Sequence, residues 1–430
     1  MSEKQVLEAG GAKQPEALHC EDAISQAKQQ QAGDYSGARK KTDPAEIRLD
    51  LDLSSSQYQT CVSILFVGYI LGQVPSNMLI TRLRPSLYMS GAMAAWAVVS
   101  ALTAIAKDFT GLLLVRFFLG LTETPYYPGA LYMISIFYTR KEIATRISIL
   151  YTGNILATAF AGWQWLFILQ GAATFAVAVG AAFILPDDPL HTRWLTQEER
   201  QLAHDRIVAD TVGARHQTST FSGVKEAARD PRVWLFAAMQ QMHLAANGFK
   251  NFFPTAVETL GFDTTITLVL TCPPYLIAGL VSVFWSWSSG RFNERTWHIT
   301  VAKAVAVFGF VLGCATLNTG ARYFAMVVFA IGTYAVNSII LGWVSSTCGQ
   351  TKEKKASALA IVNTCANVSF IWTPYLWPSS DEPRYTIAMS SSAAFSVTCA
   401  ACAWVMRFWL MSANRKIRRS DDESVLFYAY

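Results

Sequence analysis

From Tyr58 to Ile80 the chain carries no charged side chain, and long apolar stretches of the same kind recur along it as far as Met411. Each is close to the length an α-helix needs to cross a hydrocarbon layer, roughly 20 residues for about 30 Å. In lipid a backbone N–H or C=O finds no water, so such segments are confined to helices that bond their own backbone. Predicted spans lie at residues 58–80, 87–106, 110–138, 147–161, 165–185, 233–256, 266–287, 299–317, 323–347, 358–377 and 386–411, eleven in all. The charge content agrees: 15% of residues are charged and 52% hydrophobic, against about 25% charged in soluble domains. The expected class is an all-α, multi-pass integral membrane protein.

Loop charges then set orientation, because short cytoplasmic loops are enriched in Lys and Arg. Alternate connections carry Arg82 and Arg84; Arg140, Lys141 and Arg146; the long segment 186–231; Arg291 and Arg295; Lys352, Lys354 and Lys355; and Arg415, Lys416, Arg418 and Arg419. These are expected inside. The intervening loops, at Lys107, 258–265 and 378–385, carry few positive residues or carry acids, and are expected outside. Tyr58 then begins at the outer face, yet residues 1–56 form a polar tail of cytoplasmic character with no cleavable leader. One further span before Tyr58 reconciles the two, giving twelve spans with both ends inside. Residues 147–161 are also short, about 22 Å as a helix, and a second deletion is expected near Ala161 and Gly162.

The expected organisation is a tail at 1–56, an incomplete N-terminal bundle of about five spans at 57–185, a central cytoplasmic loop at 186–231, a six-span bundle at 232–411 and a basic tail at 412–430. Thr196 and Glu199 have capping-box spacing and should open a polar helix in the central loop. That helix reads as a solvated tether or as a docking site.

Ionisable residues inside spans are costly, and by default they mark a substrate or proton path. GLLLVRFFLGLTETPYYPG holds Arg116 and Glu123, seven residues apart and so on one helix face, about 10 Å apart along the axis. Its counterpart in the second half, NGFKNFFPTAVETLGF, holds Lys250 and Asn251, with Pro254 expected to break the helix beside them. Arg116 and Lys250 fall at similar depths in the outer half, where a cation from each bundle would suit a carboxylate, Arg as a bidentate fork and Lys as a point charge. Glu123, buried near a cation, has the makings of a protonation switch. The plainer alternatives are that Arg116 and Glu123 lock the bundle and that Lys250 snorkels to the headgroups. Tyr69, Gln73, Asn337, Trp343, Asn363, Asn367 and Trp372 recur on faces otherwise apolar, as substrate contacts or as interhelical hydrogen bonds. His243 reads as a packing residue or a proton relay.

Other classes find little support. Cys399 and Cys402 have CxxC spacing, but no second pair or histidine completes a metal set, so no metal, cofactor or disulfide framework is expected. No basic stripe with interleaved aromatics suggests nucleic acid. No HExxH motif or Ser and His constellation suggests an enzyme.

Six stretches carry a family resemblance: FVGYILGQVPSNMLITRLRPS, RFFLGLTETPYYPGALYMISIFYTRKE, GWQWLFILQGAAT, NFFPTAVETLGF, LTCPPYLIA and AIVNTCANVSFIWTPYLWP. Together, from about Ser56 to Met411, they resemble the fungal anion:cation symporter family of the major facilitator superfamily, the allantoate, nicotinate and pantothenate permease group. The resemblance implies two helical bundles, here with about eleven spans instead of twelve, and proton-coupled uptake of a small organic anion by alternating access. It implies an anion-binding Arg116, a proton-carrying Glu123 and a basic Lys250, with Arg84, Arg291 and Arg295 in gating loops; Gly290 stands where the family's loop has Asp. The expected partners are a small organic anion, protons and the lipid bilayer, and the expected state is a monomer in the plasma membrane. Relative to the family, a first span is missing before SSSQYQT and helix five closes up early at ATAFAGWQW. Metabolite efflux, or a non-transporting truncated isoform or sensor, are the alternative readings.

Overall fold

The computed structural model describes residues 55–103, 106, 108–159, 166–192, 195–213, 219–251, 253–261, 264–378, 381, 384–419 and 426–430. The chain divides into two units, Met1–Tyr58 and Gln59–Tyr430. The expected deletion points, around residues 50–54 and at Ala161 and Gly162, lie outside the described residues.

The regular structure described is helical. In the first half run α1 (Ser55–Ile80), α2 (Pro85–Leu102), α3 (Phe109–Glu123), α4 (Tyr126–Phe137), α5 (Ile143–Ala159) and α6 (Leu166–Ile184). Two polar helices follow, α7 (Gln197–Ala209) and α8 (Thr220–Arg229). The second half has α9 (Pro231–Ala246), a 3-10 stretch Asn247–Asn251, α10 (Phe253–Glu258), α11 (Thr264–Phe292), α12 (Thr296–Ala315), α13 (Thr319–Tyr334), α14 (Asn337–Thr347), α15 (Lys352–Asn367), α16 (Ser369–Trp372), a 3-10 turn Thr373–Leu376, and α17 (Thr386–Arg418). Among the described residues, six stretches are long and apolar enough to cross a bilayer: Ser63–Ile80, Pro85–Leu102, Val269–Phe292, Thr296–Ala315, Thr319–Thr347 and Thr386–Arg418.

Several expected spans are broken partway into two helices. The span at 110–138 stops at Glu123 and restarts at Tyr126, with Thr124 and Pro125 between. Proline has no N–H to bond the fourth residue back, and its ring crowds that carbonyl. Pro254 likewise has no N–H to offer the carbonyl of Lys250, and the chain is 3-10 from Asn247 to Asn251. A third break separates α13 from α14 at Ala335 and Val336, and a fourth separates α15 from α16 at Val368. Non-helical backbone at membrane depth is tolerated where protein surrounds it or a cavity admits other partners.

Elsewhere, small residues set the packing. A Cβ on Gly120 would overlap the carbonyl oxygen of Leu65, and one on Gly68 that of Phe117, so α1 and α3 meet backbone to backbone. Within the second half α12 packs on α13 and α17, and α9 on α15 and α17. The halves meet where α5 touches α11 and α14 and where α4 touches α15.

The face with the basic loops is closed by bonds between the halves. Asn77 donates to the Ala356 carbonyl at 3.0 Å, Lys355 to the Ser135 carbonyl at 3.1 Å, and Arg295 to the Arg140 carbonyl at 2.5 Å. The backbone of Gly290 lies against the Lys141 carbonyl with no room for a Cβ, so the position where the family's Asp is expected works here by close approach. The helix opened by Thr196 has its capping box, with Glu199 accepting from the Thr196 N–H at 2.9 Å. Its far end is tied to the first half by the Arg140–Asp210 ion pair at 3.0 Å and the Arg206–Glu142 pair at 2.8 Å. Burial works against Glu142 ionising, but the Thr139 hydrogen bonds and Arg206 prevail and hold its carboxyl below the usual range.

Candidate functional site: a cavity at the helix breaks

A cavity of about 550 Å³ lies between the halves. Its polar lining comes from residues at or beside the broken helices. Glu123 is the last residue of α3, Lys250 sits in the 3-10 stretch after α9, and Asn337 is the first residue of α14. Asn363 and Asn367 occupy the last two turns of α15 before the break at Val368. Tyr69, Tyr126, Tyr127 and Tyr151 add four phenols, and Phe66, Met93, Trp96, Leu150, Leu244 and Phe370 supply apolar wall. A pocket of this size, mostly apolar with a few convergent polar groups, is the usual form of a small-molecule site.

Lys250 and Glu123 are within electrostatic reach of each other. The Lys250 ammonium also stands 4.4 Å from the centroid of the Phe370 ring, a cation–π contact that holds it inward. Lys250 therefore lines the cavity instead of snorkelling outward. Asn337 is held from both sides: Gln240 donates to its carbonyl oxygen at 2.7 Å, and its own amide donates to the Tyr127 hydroxyl at 2.9 Å. Asn363 Nδ2 reaches the Tyr69 hydroxyl at 3.5 Å, and Asn367 donates to the Asn363 carbonyl at 2.8 Å.

Of the residues singled out in the sequence, Tyr69, Glu123, Lys250, Asn337, Asn363 and Asn367 meet in this cavity. Arg116 is not among its lining residues; it lies two turns from Glu123 on the same face of α3, partly exposed. The side chain of Asn251 lies outside the described residues. Gln73 is fully buried and accepts from the Thr364 hydroxyl at 2.5 Å, so it joins α1 to α15 as an interhelical bond. Trp343 and Trp372, read as substrate contacts or as interhelical bonds, are not among the cavity's lining residues either. Trp343 is buried against Phe236 toward the basic-loop face and donates to the Ala429 carbonyl at 3.0 Å, while Trp372 packs edge-on against Phe395. His243 is fully buried in α9, and among the described residues neither of its ring nitrogens has a hydrogen-bond partner. Of the loop arginines, Arg84 and Arg291 are exposed, whereas Arg295 is fully buried and bridges to Ser289 and Arg140.

Sequence reasoning passed over Tyr127, Tyr151 and Gln240. The tyrosine pair that follows Glu123 after Thr124 and Pro125, in TETPYYPG, was a usable signal for Tyr127 and its neighbour Tyr126. Tyr151 and Gln240 had none beyond being polar groups in apolar runs.

Known proteins can be set beside this geometry. The Major Facilitator Superfamily profile matches residues 44–374. An uncharacterized transporter of Schizosaccharomyces pombe is 30% identical over 85% of this chain and 77% of its own length. The MFS-type transporter cnsO of Penicillium expansum is 28% identical over 87% and 78%. The Major facilitator-type transporter hxnP of Emericella nidulans is 26% identical over 90% and 82%. Among solved structures, the proton:xylose symporter XylE bound to 6-bromo-6-deoxy-D-glucose is similar with a TM-score of 0.58, covering 85% of this chain and 89% of that one. At 14% identity that likeness concerns the fold. The matched profile, the transporter relatives and the all-helical fold around a central cavity agree: the chain belongs to the Major Facilitator Superfamily, whose members are membrane transporters and not enzymes.

Proposed function

We propose that the protein is a proton-coupled transporter that takes up a small organic anion, a monocarboxylate of the vitamin or ureide kind, across the plasma membrane by alternating access. The observation that carries this reading is the pairing of one cation, Lys250, and one carboxylate, Glu123, in a single cavity. Together they are electrically balanced when the cavity is empty. An arriving carboxylate competes with Glu123 for Lys250; in general, opposite unit charges in contact at about 4 Å with an effective dielectric near 20 attract by about 4 kcal/mol. Protonating Glu123 removes the competitor, so anion and proton enter together and the loaded cavity regains balance. Binding of one thus favours binding of the other, reciprocally.

The remaining groups have parts in this reading. Tyr127 accepts from Asn337, which leaves its phenol proton for the anion; Tyr69 and Asn363 complete the polar contacts, and Asn251 is kept as a substrate residue on its place in the sequence beside Lys250. Arg116, expected to bind the anion beside Lys250, stands outside the cavity lining and is given no part in this reading, and Gln73 is the joint between α1 and α15. Arg295 fastens the inner gate, with Arg84 and Arg291 flanking it. The resemblance to the fungal anion:cation symporters supports the substrate class, and the short first half is read as lacking one span and part of another.

Purified protein in proteoliposomes, with an inward proton gradient and radiolabelled nicotinate, pantothenate or allantoate, tests the reading. Gradient-dependent accumulation of at least one anion, lost in Lys250→Ala, is expected. Accumulation that Lys250→Ala leaves intact would refute it.

A further inference from the structure

Residues 426–430 fold back against the basic-loop face, and their contacts reach both halves. Arg140, in the loop between α4 and α5, donates to the Phe427 carbonyl at 2.8 Å. On the other side Asn414 of α17 clasps Tyr428 with two hydrogen bonds, one donated and one accepted, each 2.9 Å. The Trp343 indole donates to the Ala429 carbonyl at 3.0 Å, and the Arg295 backbone N–H to that of Tyr430 at 3.3 Å. The last of these joins the segment to the turn between α11 and α12. Three aromatic rings lie under guanidinium groups: Phe427 under Arg418 at 4.9 Å, Tyr428 under Arg232 at 5.6 Å and Tyr430 under Arg407 at 5.0 Å. Tyr428 and Tyr430 pack on the large core cluster, which draws on both halves.

Arg140 is the junction of this arrangement. Besides holding Phe427 it pairs with Asp210 after α7 and receives Arg295 on its carbonyl. The two halves cannot separate on this face without parting Arg140 from the second half, and the segment adds a bond across that seam. We propose that residues 426–430 form a strap that holds the inner face closed and favours the state in which the cavity opens outward. Releasing the strap shifts the balance toward the inward-open state. This rests on the chain being an alternating-access transporter but not on which solute it carries.

Hydrogen–deuterium exchange of the full chain in lipid nanodiscs tests the strap without any substrate. Two variants are used, Asn414→Leu, which removes the clasp on Tyr428, and Tyr428→Ala, which removes the ring from the core. A hydrogen bond to a charged group is the kind of contact whose loss moves an equilibrium by about tenfold. Exchange at residues 138–143, in the first half, is therefore expected to quicken about tenfold in both variants. The amides of α12 and α13 should stay as protected as in the parent, which shows that the fold is intact. Unchanged exchange at 138–143, whether or not α14 and α17 exchange faster, would overturn the proposal and leave the segment a cover for the second half alone. Failure of the parent to transport any of the tested anions, with exchange at 138–143 still quickened in the variants, would count against the substrate reading and leave the strap standing.

Discussion

Replacing Asp230 by asparagine probes how the inner end of α9 is fastened, and with it the helix that leads to Lys250. Asp230 accepts from the Arg232 backbone N–H at 3.0 Å, which caps α9, and its carboxylate pairs with the Arg232 guanidinium at 2.7 Å and the Lys354 ammonium at 2.8 Å. Its side chain is 7% exposed. Burial pushes the carboxyl pKa up, but the hydrogen bonds and charges of Arg232 and Lys354 outweigh burial and hold it at about 2, from an ordinary 3.8. Because the folded value lies below the unfolded one, the stabilisation is fully present above the unfolded value and is lost as pH falls toward the folded one. A depression of this size corresponds to about 2 kcal/mol. Stranding a buried ion without its partner costs more, about 3–5 kcal/mol; asparagine keeps the cap with its one oxygen beside Arg232 but turns an NH2 donor toward the Lys354 ammonium. The smaller figure is therefore the least that is expected. Denaturant unfolding in detergent should show Asp230→Asn less stable than the parent by at least about 2 kcal/mol at pH 7 and by less at pH 3. Equal stability at pH 7, or a loss of the same size at both pH values, would refute the reasoning.

Two further outcomes follow from the packing. Gly120→Val forces a side chain into the Leu65 backbone; overpacking of this kind costs typically about 1–3 kcal/mol and more where backbone must move, so the variant should elute as aggregate in size-exclusion chromatography, while the exposed Gly153→Ala should not. Gln240→Leu removes the donor that fixes the Asn337 amide; it should raise the KM for the transported anion severalfold while the protein's melting temperature falls by only a few degrees.

How much of this was legible beforehand depended on the kind of signal. Apolar runs and alternating loop charges are local, and they located the helical segments and the basic face. Glu123 and Lys250 stood out because a charge in an apolar run is rare, and Pro125 and Pro254 marked two of the breaks that position them. The break at Ala335 and Val336 has no proline to announce it, so Asn337 was visible as a polar residue but not as the start of a helix. For Trp343 the sequence does not decide between substrate contact and interhelical bond, because an aromatic ring in a span gives no direction; its indole N–H is satisfied by a carbonyl at Ala429, far away in sequence. Contacts of that range, like the Arg140 junction, depend on how the helices assemble and leave no local pattern.

The central claim is that Glu123 and Lys250 act on one anion in one cavity, with Glu123 carrying the proton. The most direct test is to compare exchange with net uptake in Glu123→Gln, a substitution that keeps shape and removes the charge. In proteoliposomes loaded with unlabelled anion, the variant should still exchange it for labelled anion, because Lys250 remains to bind it. It should fail to accumulate the anion against a gradient when only a proton gradient drives it. Accumulation by Glu123→Gln equal to that of the parent would contradict the claim.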